Sequence, residues 1–240
     1  PLRGTGFFAT CHRRKVQESG VIEQTPEGRR AFILANTRQQ APPHTPELTL
    51  HLADEVMPIW RLTEEALQEI GLPPPFWAFA WAGGQALARY ILDNPQIVAG
   101  KSVIDFATGS GIVAIAAAKA GAAHVLAADI DAYCGAALAL NAPANGVACD
   151  FTSIDLLDAP PLPAEVILAG DICYEKPLAA RVMAWLEQAK SAGATVLIGD
   201  PGRSYFPREG LVKLAEYQVT TTRELEDQEV KKTAVWSLPG

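Results

Sequence analysis

The sequence predicts an α/β protein built on a mostly parallel, doubly wound sheet with an antiparallel edge. Three observations carry this. Val103-Ile104-Asp105-Phe106 reads as a buried parallel strand, passes through Ala107-Thr108-Gly109-Ser110-Gly111, and opens onto an Ala-rich helix over 112–120. Four more strands then follow in β/α alternation, near 123–128, 148–154, 165–169 and 194–198. The chain closes with two alternating segments, 217–222 and 233–237, that read as a hairpin rather than as another β/α unit. Strands alternating with helices imply parallel pairing with both faces covered, and a terminal hairpin adds the antiparallel edge.

Ahead of the sheet, residues 1–24 show no periodicity and are expected to form a loose arm; its first 17 residues hold Arg3, Arg13, Arg14 and Lys15 and no acid. Thr25-Pro26-Glu27 is a helix start, with Thr as N-cap and Pro at the first helical position, running to about Ala35. Leu48, Leu50 and Leu52 alternate with Thr49 and His51, the period of a half-buried strand. Ile59 to Ile70 has helical spacing and Gly71 stops it. Pro73-Pro74-Pro75 divides an N-terminal arm and extension, 1–75, from the main domain, 76–240. Phe76-Trp77-Ala78-Phe79-Ala80-Trp81 is dense in aromatics, and Gly83-Gly84 opens a helix from Gln85 to Leu92. It reads as an apolar lid on the sheet, with Trp81 as a roof for the crevice. Farther on, helices are expected over 132–140, ended by Asn141 and Pro143, over 177–190, and over 207–215.

Composition narrows the function. Of 240 residues 49% are apolar and 20% charged, normal for a chain with a full core. No apolar run nears the roughly 18 residues of a membrane helix, so no membrane partner is expected. A net charge of −7 argues against a nucleic-acid surface, which needs a basic stripe. The cysteines (11, 134, 149, 173) make no CxxC pair and the four histidines are scattered, so no metal site and reduced thiols are expected.

The chemistry gathers at the carboxyl ends of the strands, where such sheets bind ligands. Asp105, Asp129, Asp155, Asp171 and Asp200 fall at five successive strand ends. Asp129, 18 residues past Gly111 at the tip of the second strand, is placed to take ribose hydroxyls. Gly109-Ser110-Gly111-Ile112-Val113-Ala114 formally matches the dinucleotide fingerprint. Yet an acid at the first strand, Asp105, opposes a pyrophosphate and suits an ammonium. S-adenosylmethionine, with no phosphate, fits Asp105, Asp129 and Asp155 as partners of its amino acid, ribose and adenine parts.

Asp105-Phe106-Ala107-Thr108-Gly109-Ser110-Gly111 after a strand, followed by an acidic second strand, resembles the Rossmann-like, seven-stranded class I methyltransferases, with Ala107 where many members have glycine. Asp171-Ile172-Cys173-Tyr174 is similar to the DxxY motif of a subgroup that mostly methylates protein lysines. Pro46-Glu47-Leu48, Trp81-Ala82-Gly83-Gly84-Gln85-Ala86-Leu87, Asp129-Ile130-Asp131, Gly170-Asp171 with Tyr174, and Ile198-Gly199-Asp200-Pro201-Gly202-Arg203 together resemble the electron transfer flavoprotein β-subunit lysine methyltransferase family over about 32–236. Ala82 and Cys173 depart from the proline and phenylalanine of its animal members. The small-residue bias suggests a bacterial member in the cytoplasm; a mitochondrial matrix makes similar demands. The resemblance implies S-adenosylmethionine held by Trp81, Gly84, Asp105, Ala107, Gly109, Gly111, Asp129, Ile130, Asp155 and Gly170. It implies Asp171 and Tyr174 as catalytic residues on a lysine of the flavoprotein β subunit, with Trp81 and Arg203 also facing the substrate, and a monomer. The alternatives are a ribosomal protein, another basic acceptor or a small amine as methyl acceptor, an NAD-linked oxidoreductase, and a non-catalytic binding module.

Overall fold

A computed structural model describes residues 24–53, 73–221 and 230–239. The expected helix over 59–70, the arm before Gln24 and residue 222 of the first hairpin strand lie outside them. The first element is helix α1 (Pro26–Asn36), its N-cap Thr25 accepting the Gly28 N–H at 3.0 Å through its hydroxyl. Strands β1 (Arg38–Gln40) and β2 (Leu50–Leu52) pair antiparallel. β1 carries no apolar alternation, so only β2 is legible in the sequence.

Helix α2 (Ala82–Asp93) leads into the sheet. Then come β3 (Ser102–Phe106), α3 (Ile112–Lys119), β4 (His124–Ala128), α4 (Ala132–Ala144), β5 (Asp150–Thr152), β6 (Val166–Gly170), α5 (Lys176–Ser191), β7 (Thr195–Asp200), β8 (Val212–Thr220) and β9 (Val230–Ser237). The sheet order is β5-β4-β3-β6-β7-β9-β8, parallel except that β9 runs against both β7 and β8. Seven strands with an antiparallel C-terminal strand is the architecture expected.

Alternation along the strands fills two cores. Val103, Val166, Leu168 and Leu197 point to one face, under α2, α3 and part of α4, together with Leu48, Leu50 and Leu52 of the extension. Ile104, Ile167, Ala169, Val196 and Ile198 point to the other, under Trp185 and Leu186 of α5. Each such large side chain taken fully from water contributes about 1.5–3 kcal/mol. A third cluster joins Ile33 of α1, Trp77 and Phe79 to Tyr133 and Ala137 of α4, with Trp77 and Tyr133 stacked at 5.8 Å.

Three local expectations need correction. Residues 212–220 are strand β8 rather than part of a helix over 207–215: Ala215, Tyr217 and Val219 turn toward the sheet with a period of two, and Pro207 and Gly210 lie outside any helix. Helix α4 runs through Pro143 to Ala144, where Asn145 closes the end on the Ala142 and Pro143 carbonyls. Helix α2 begins at Ala82, three residues ahead of Gln85, for a reason that belongs to the site.

Strand order reverses between β3 and β6, whose neighbours β4 and β7 lie on opposite sides. The crevice outside the carboxyl ends of those strands is where such folds place a ligand.

Candidate active site

At that crevice lies a cavity of about 740 Å³. Ala107 and Gly109 from the loop after β3, Asp129 and Ile130 from the tip of β4, Asp155, Gly170, Asp171, Tyr174, Trp81 and Arg203 all line it. Gly84, Asp105 and Gly111 are not on its wall; they build what stands behind it.

The glycine loop is held from below. Asp105, 1% exposed, accepts the Thr108 hydroxyl at 2.5 Å and the Ala114 N–H at 2.9 Å with one oxygen. Burial pushes its carboxyl up to about 7, against the pull of those two donors. Asp105 therefore faces into the loop it shapes and presents nothing to the cavity. Gly111 sits at φ +83° as the α3 N-cap, and a Cβ there would come within 2.7 Å of Leu138 Cδ1. Ala107 holds the left-handed φ of +57°. Asp129 fixes the loop from the side: Oδ2 accepts the Gly109 N–H and Oδ1 the Asp131 N–H, both at 3.0 Å. Each oxygen keeps acceptor capacity toward the cavity.

Two apolar side chains stand unusually open here, Ile130 at 72% and Ile154 at 70% exposure, and both line the cavity. Asp155 caps the short turn 156–158 through the Leu157 N–H at 2.9 Å, and Arg181 of α5 lies near both Asp155 and Asp158, at 3.7 and 3.1 Å. Ile154, Phe76, Asp131, Tyr133 and Arg181 line the cavity and escape sequence reasoning. A solvent-facing isoleucine just past a strand tip was the available signal for Ile154; nothing marks Arg181 among the charges of an amphipathic helix.

At the other end, glycines let the start of α2 sit on the sheet. A Cβ on Gly83 would fall 2.3 Å from the Gly199 carbonyl oxygen, and one on Gly170 would fall 3.0 Å from the Gly84 N and Cα. This seats the first turn of α2 against Asp171, whose Oδ2 accepts the Gly84 N–H at 2.8 Å. A carboxylate from beyond β6 thus does the capping that Trp81 does not do with its side chain, and the helix gains a turn that no local signal predicts. Asp171 itself adopts φ +57°. Its Oδ1 accepts from Arg203 Nη2 at 2.7 Å and Nε at 3.2 Å. Burial pushes the Asp171 carboxyl up, and Arg203 and the α2 amides hold it down.

The aromatic segment serves both purposes read from it. Trp77 and Phe79 are core, whereas Phe76 and Trp81 face the cavity. Phe76 stands 5.9 Å from Trp81 and 5.4 Å from Tyr174, ring centre to ring centre, and Trp81 Nε1 donates to the Phe76 carbonyl at 3.0 Å. The Arg203 guanidinium lies 5.7 Å from the centre of the Trp81 ring. Asp171, Tyr174, Trp81 and Arg203 are thus together at one end, and Asp129, Ile130 and Asp155 at the other.

Sheet order, glycine loop and acidic strand tips are those of a Rossmann-like methyltransferase domain. Residues 86–198 match the ribosomal protein L11 methyltransferase (PrmA) family. The chain belongs to the electron transfer flavoprotein beta subunit lysine methyltransferase family. It is 40% identical over 214 residues to the Xenopus laevis member, covering 87% of this chain and 86% of that one, and 35% identical over 217 residues to the Homo sapiens member, covering 86% and 80%. A ribosomal protein L11 methyltransferase of Pelobacter propionicus is 29% identical over 219 residues, 87% of this chain and 60% of that protein. Among solved structures, SMU.776 complexed with SAH is alike in fold, with a TM-score of 0.50 at 13% identity, covering 80% of this chain and 53% of that one.

Proposed function

We propose that this chain transfers methyl groups from S-adenosylmethionine to lysine ε-amines of the electron transfer flavoprotein β subunit. The observation that carries the reading is one cavity with two unlike ends. One end offers acids and exposed aliphatic side chains to a nucleoside, and the other offers a sheltered carboxylate and three rings to an amine. The wall suits a phosphate-free ligand, because Asp129, Asp131, Asp155 and Asp171 line it while its arginines, 181 and 203, stand against those same acids. That donor set speaks against a dinucleotide and hence against the oxidoreductase reading. The names of the relatives supply the acceptor protein.

Asp129 would hold the ribose, Ile130 and Ile154 would flank the adenine with Asp155 at its edge, and Ala107 and Gly109 would let the ligand approach the main chain. Gly111 supports that end by packing and Asp105 by fixing the loop, while Gly84 seats the start of α2 against Asp171 at the other. The cofactor supplies an electrophilic sulfonium methyl. A free lysine has a pKa of about 10.4, so near neutral pH the nucleophilic amine is scarce. A partly dehydrated slot favours the neutral form. Asp171 would receive the ammonium and then orient the amine by hydrogen bond, and Tyr174 and Trp81 would offer ring faces that tolerate a methylated, cationic nitrogen. The ammonium's proton would pass to water after docking, before the freed amine lines up with the methyl.

Purified flavoprotein β subunit with methyl-labelled S-adenosylmethionine tests this. The wild-type protein labels lysine. Asp171→Asn, which keeps an acceptor for the Gly84 N–H, loses about 100-fold or more in transfer while binding the cofactor within about 3-fold of wild type by calorimetry. Joint loss of binding and transfer would remove Asp171 from the acceptor side.

A further inference from the structure

The stretch Asp200-Pro201-Gly202-Arg203 leaves two readings in the sequence: a plain turn, or an arginine near the crevice mouth that docks an acidic part of the substrate. Its built form differs. Asp200, 2% exposed at the end of β7, accepts the Gly202 N–H at 2.6 Å and the Arg203 N–H at 2.8 Å through Oδ1. The turn folds back, and the guanidinium enters the cavity wall instead of reaching outward. There it meets Asp171 Oδ1 through two nitrogens and lies near the Trp81 ring. Asp171 is then held on one oxygen by the turn after β7 and on the other by the first turn of α2.

Cation, carboxylate and aromatic face form the set a lysine ammonium would also use. Arg203 either belongs to the frame or fills the acceptor's seat until displaced, and exposure separates the two. The side chains of Arg203 and Asp171 are only 20% and 11% exposed, whereas Phe76 and Tyr174 across the same space are 41% and 47% exposed. All four line the same cavity, so its wall presents an open pair of rings as well as the sheltered ion pair.

We propose that Arg203, aimed by Asp200, is a positioning residue that keeps the Asp171 carboxylate charged and fixed in direction for the acceptor amine. This rests on the acceptor-side role of Asp171 given above. The groups acting on Asp171 are Arg203 from the turn after β7 and the Gly83 and Gly84 amides from α2, and Asp171 in turn raises Asp200 at the end of β7. Of those that favour its charged form, Arg203 comes first and the amides after it; burial acts the other way. Without the guanidinium the carboxyl titrates at higher pH. Transfer needs the carboxylate, so it is lost as pH falls through that value, and the acid limb of the rate profile moves up.

The test compares wild type, Arg203→Gln and Arg203→Lys, with methyl-labelled S-adenosylmethionine and purified flavoprotein β subunit across pH. Arg203→Gln lowers kcat about 10-fold or more with KM little changed, moves the acid limb upward, and leaves calorimetric cofactor affinity within about 3-fold. Arg203→Lys restores the cation without the fork, returns the limb and recovers part of kcat. Wild-type kcat and limb in Arg203→Gln overturn the proposal. A raised kcat/KM overturns it too and makes Arg203 a plug in the acceptor's seat. Lower thermal stability with an unmoved limb makes it merely structural. Carbon NMR of labelled aspartate reads the Asp171 titration without turnover: an unmoved value in Arg203→Gln defeats the proposal. A wild-type protein that labels no lysine defeats instead the function on which it rests.

Discussion

Ala107 occupies a left-handed backbone that the resemblance to class I methyltransferases would give to glycine. A side chain there costs more than the conformational freedom it removes from the unfolded chain. Ala107→Gly is therefore expected to stabilise by about 1 kcal/mol, raising Tm by about 2–4 °C for a domain of this size. Differential scanning calorimetry checks this, and an unchanged or lowered Tm contradicts the strain. Asp105 gives the same lesson in reverse. Its place at a strand end is legible from the sequence, but the direction of its side chain is not, because that depends on Thr108 and Ala114 folding over it. The pairing of Asp171 with Arg203, residues 32 apart in the chain, is likewise invisible to any local pattern. What sequence reading does find at this scale are residues whose backbone position alone brings them to the cavity, such as Asp129 and Gly109.

Elements are legible where a single face repeats. The β/α alternation from 102 to 200 follows from apolar strands, glycine stops and alanine-rich helices, and it is found with ends displaced by only one to a few residues. It fails where a tertiary partner supplies the signal. The start of α2 depends on Asp171, and β8 on pairing with β9 across the hairpin. The seat of α2 is also a tight joint. A Cβ at Gly199 would lie 2.2 Å from the Gly83 carbonyl oxygen, a backbone atom that cannot yield without moving the helix. Gly199→Ala is expected to cost about 3 kcal/mol by urea unfolding, at the top of the range for overpacking. Methyl transfer should fall with it, since the shift unseats the Gly84 N–H from Asp171. A cost well under 1 kcal/mol would mean that the joint is looser than its distances.

For the whole molecule, buried acids set the response to pH. Asp105 is raised to about 7, and Asp131 and Asp200 to about 6, each chiefly by burial. An acid raised above its unfolded value binds its proton more tightly when folded, so stability falls as pH climbs from about 4 to about 7. His44 and His51, lowered by burial, act oppositely below their ordinary value, but they are two groups against larger shifts in three acids. Glu47 and Glu216, lowered by Arg89 and Lys213, also act oppositely, but only near and below their ordinary value, at the acid end of this window. Tm should accordingly be higher near about pH 5 than near about pH 7.5. A Tm that rises over the same interval would refute the dominance of the three aspartates.

Asn141 is wholly buried. Its Oδ1 accepts the His51 N–H at 2.7 Å and its Nδ2 donates to the Ser110 carbonyl at 2.9 Å. Asn145 exchanges a matching pair of bonds with Thr49. One amide thus belongs at once to the stretch ahead of the sheet and to the glycine loop. A minimal protein trimmed to the sheet and its helices would leave that amide half answered in an apolar interior and strip three leucines from the core. For redesign, the early strand is a hinge pin rather than ballast: a fusion or a protease that pulled it off α4 would be felt first in the glycine loop.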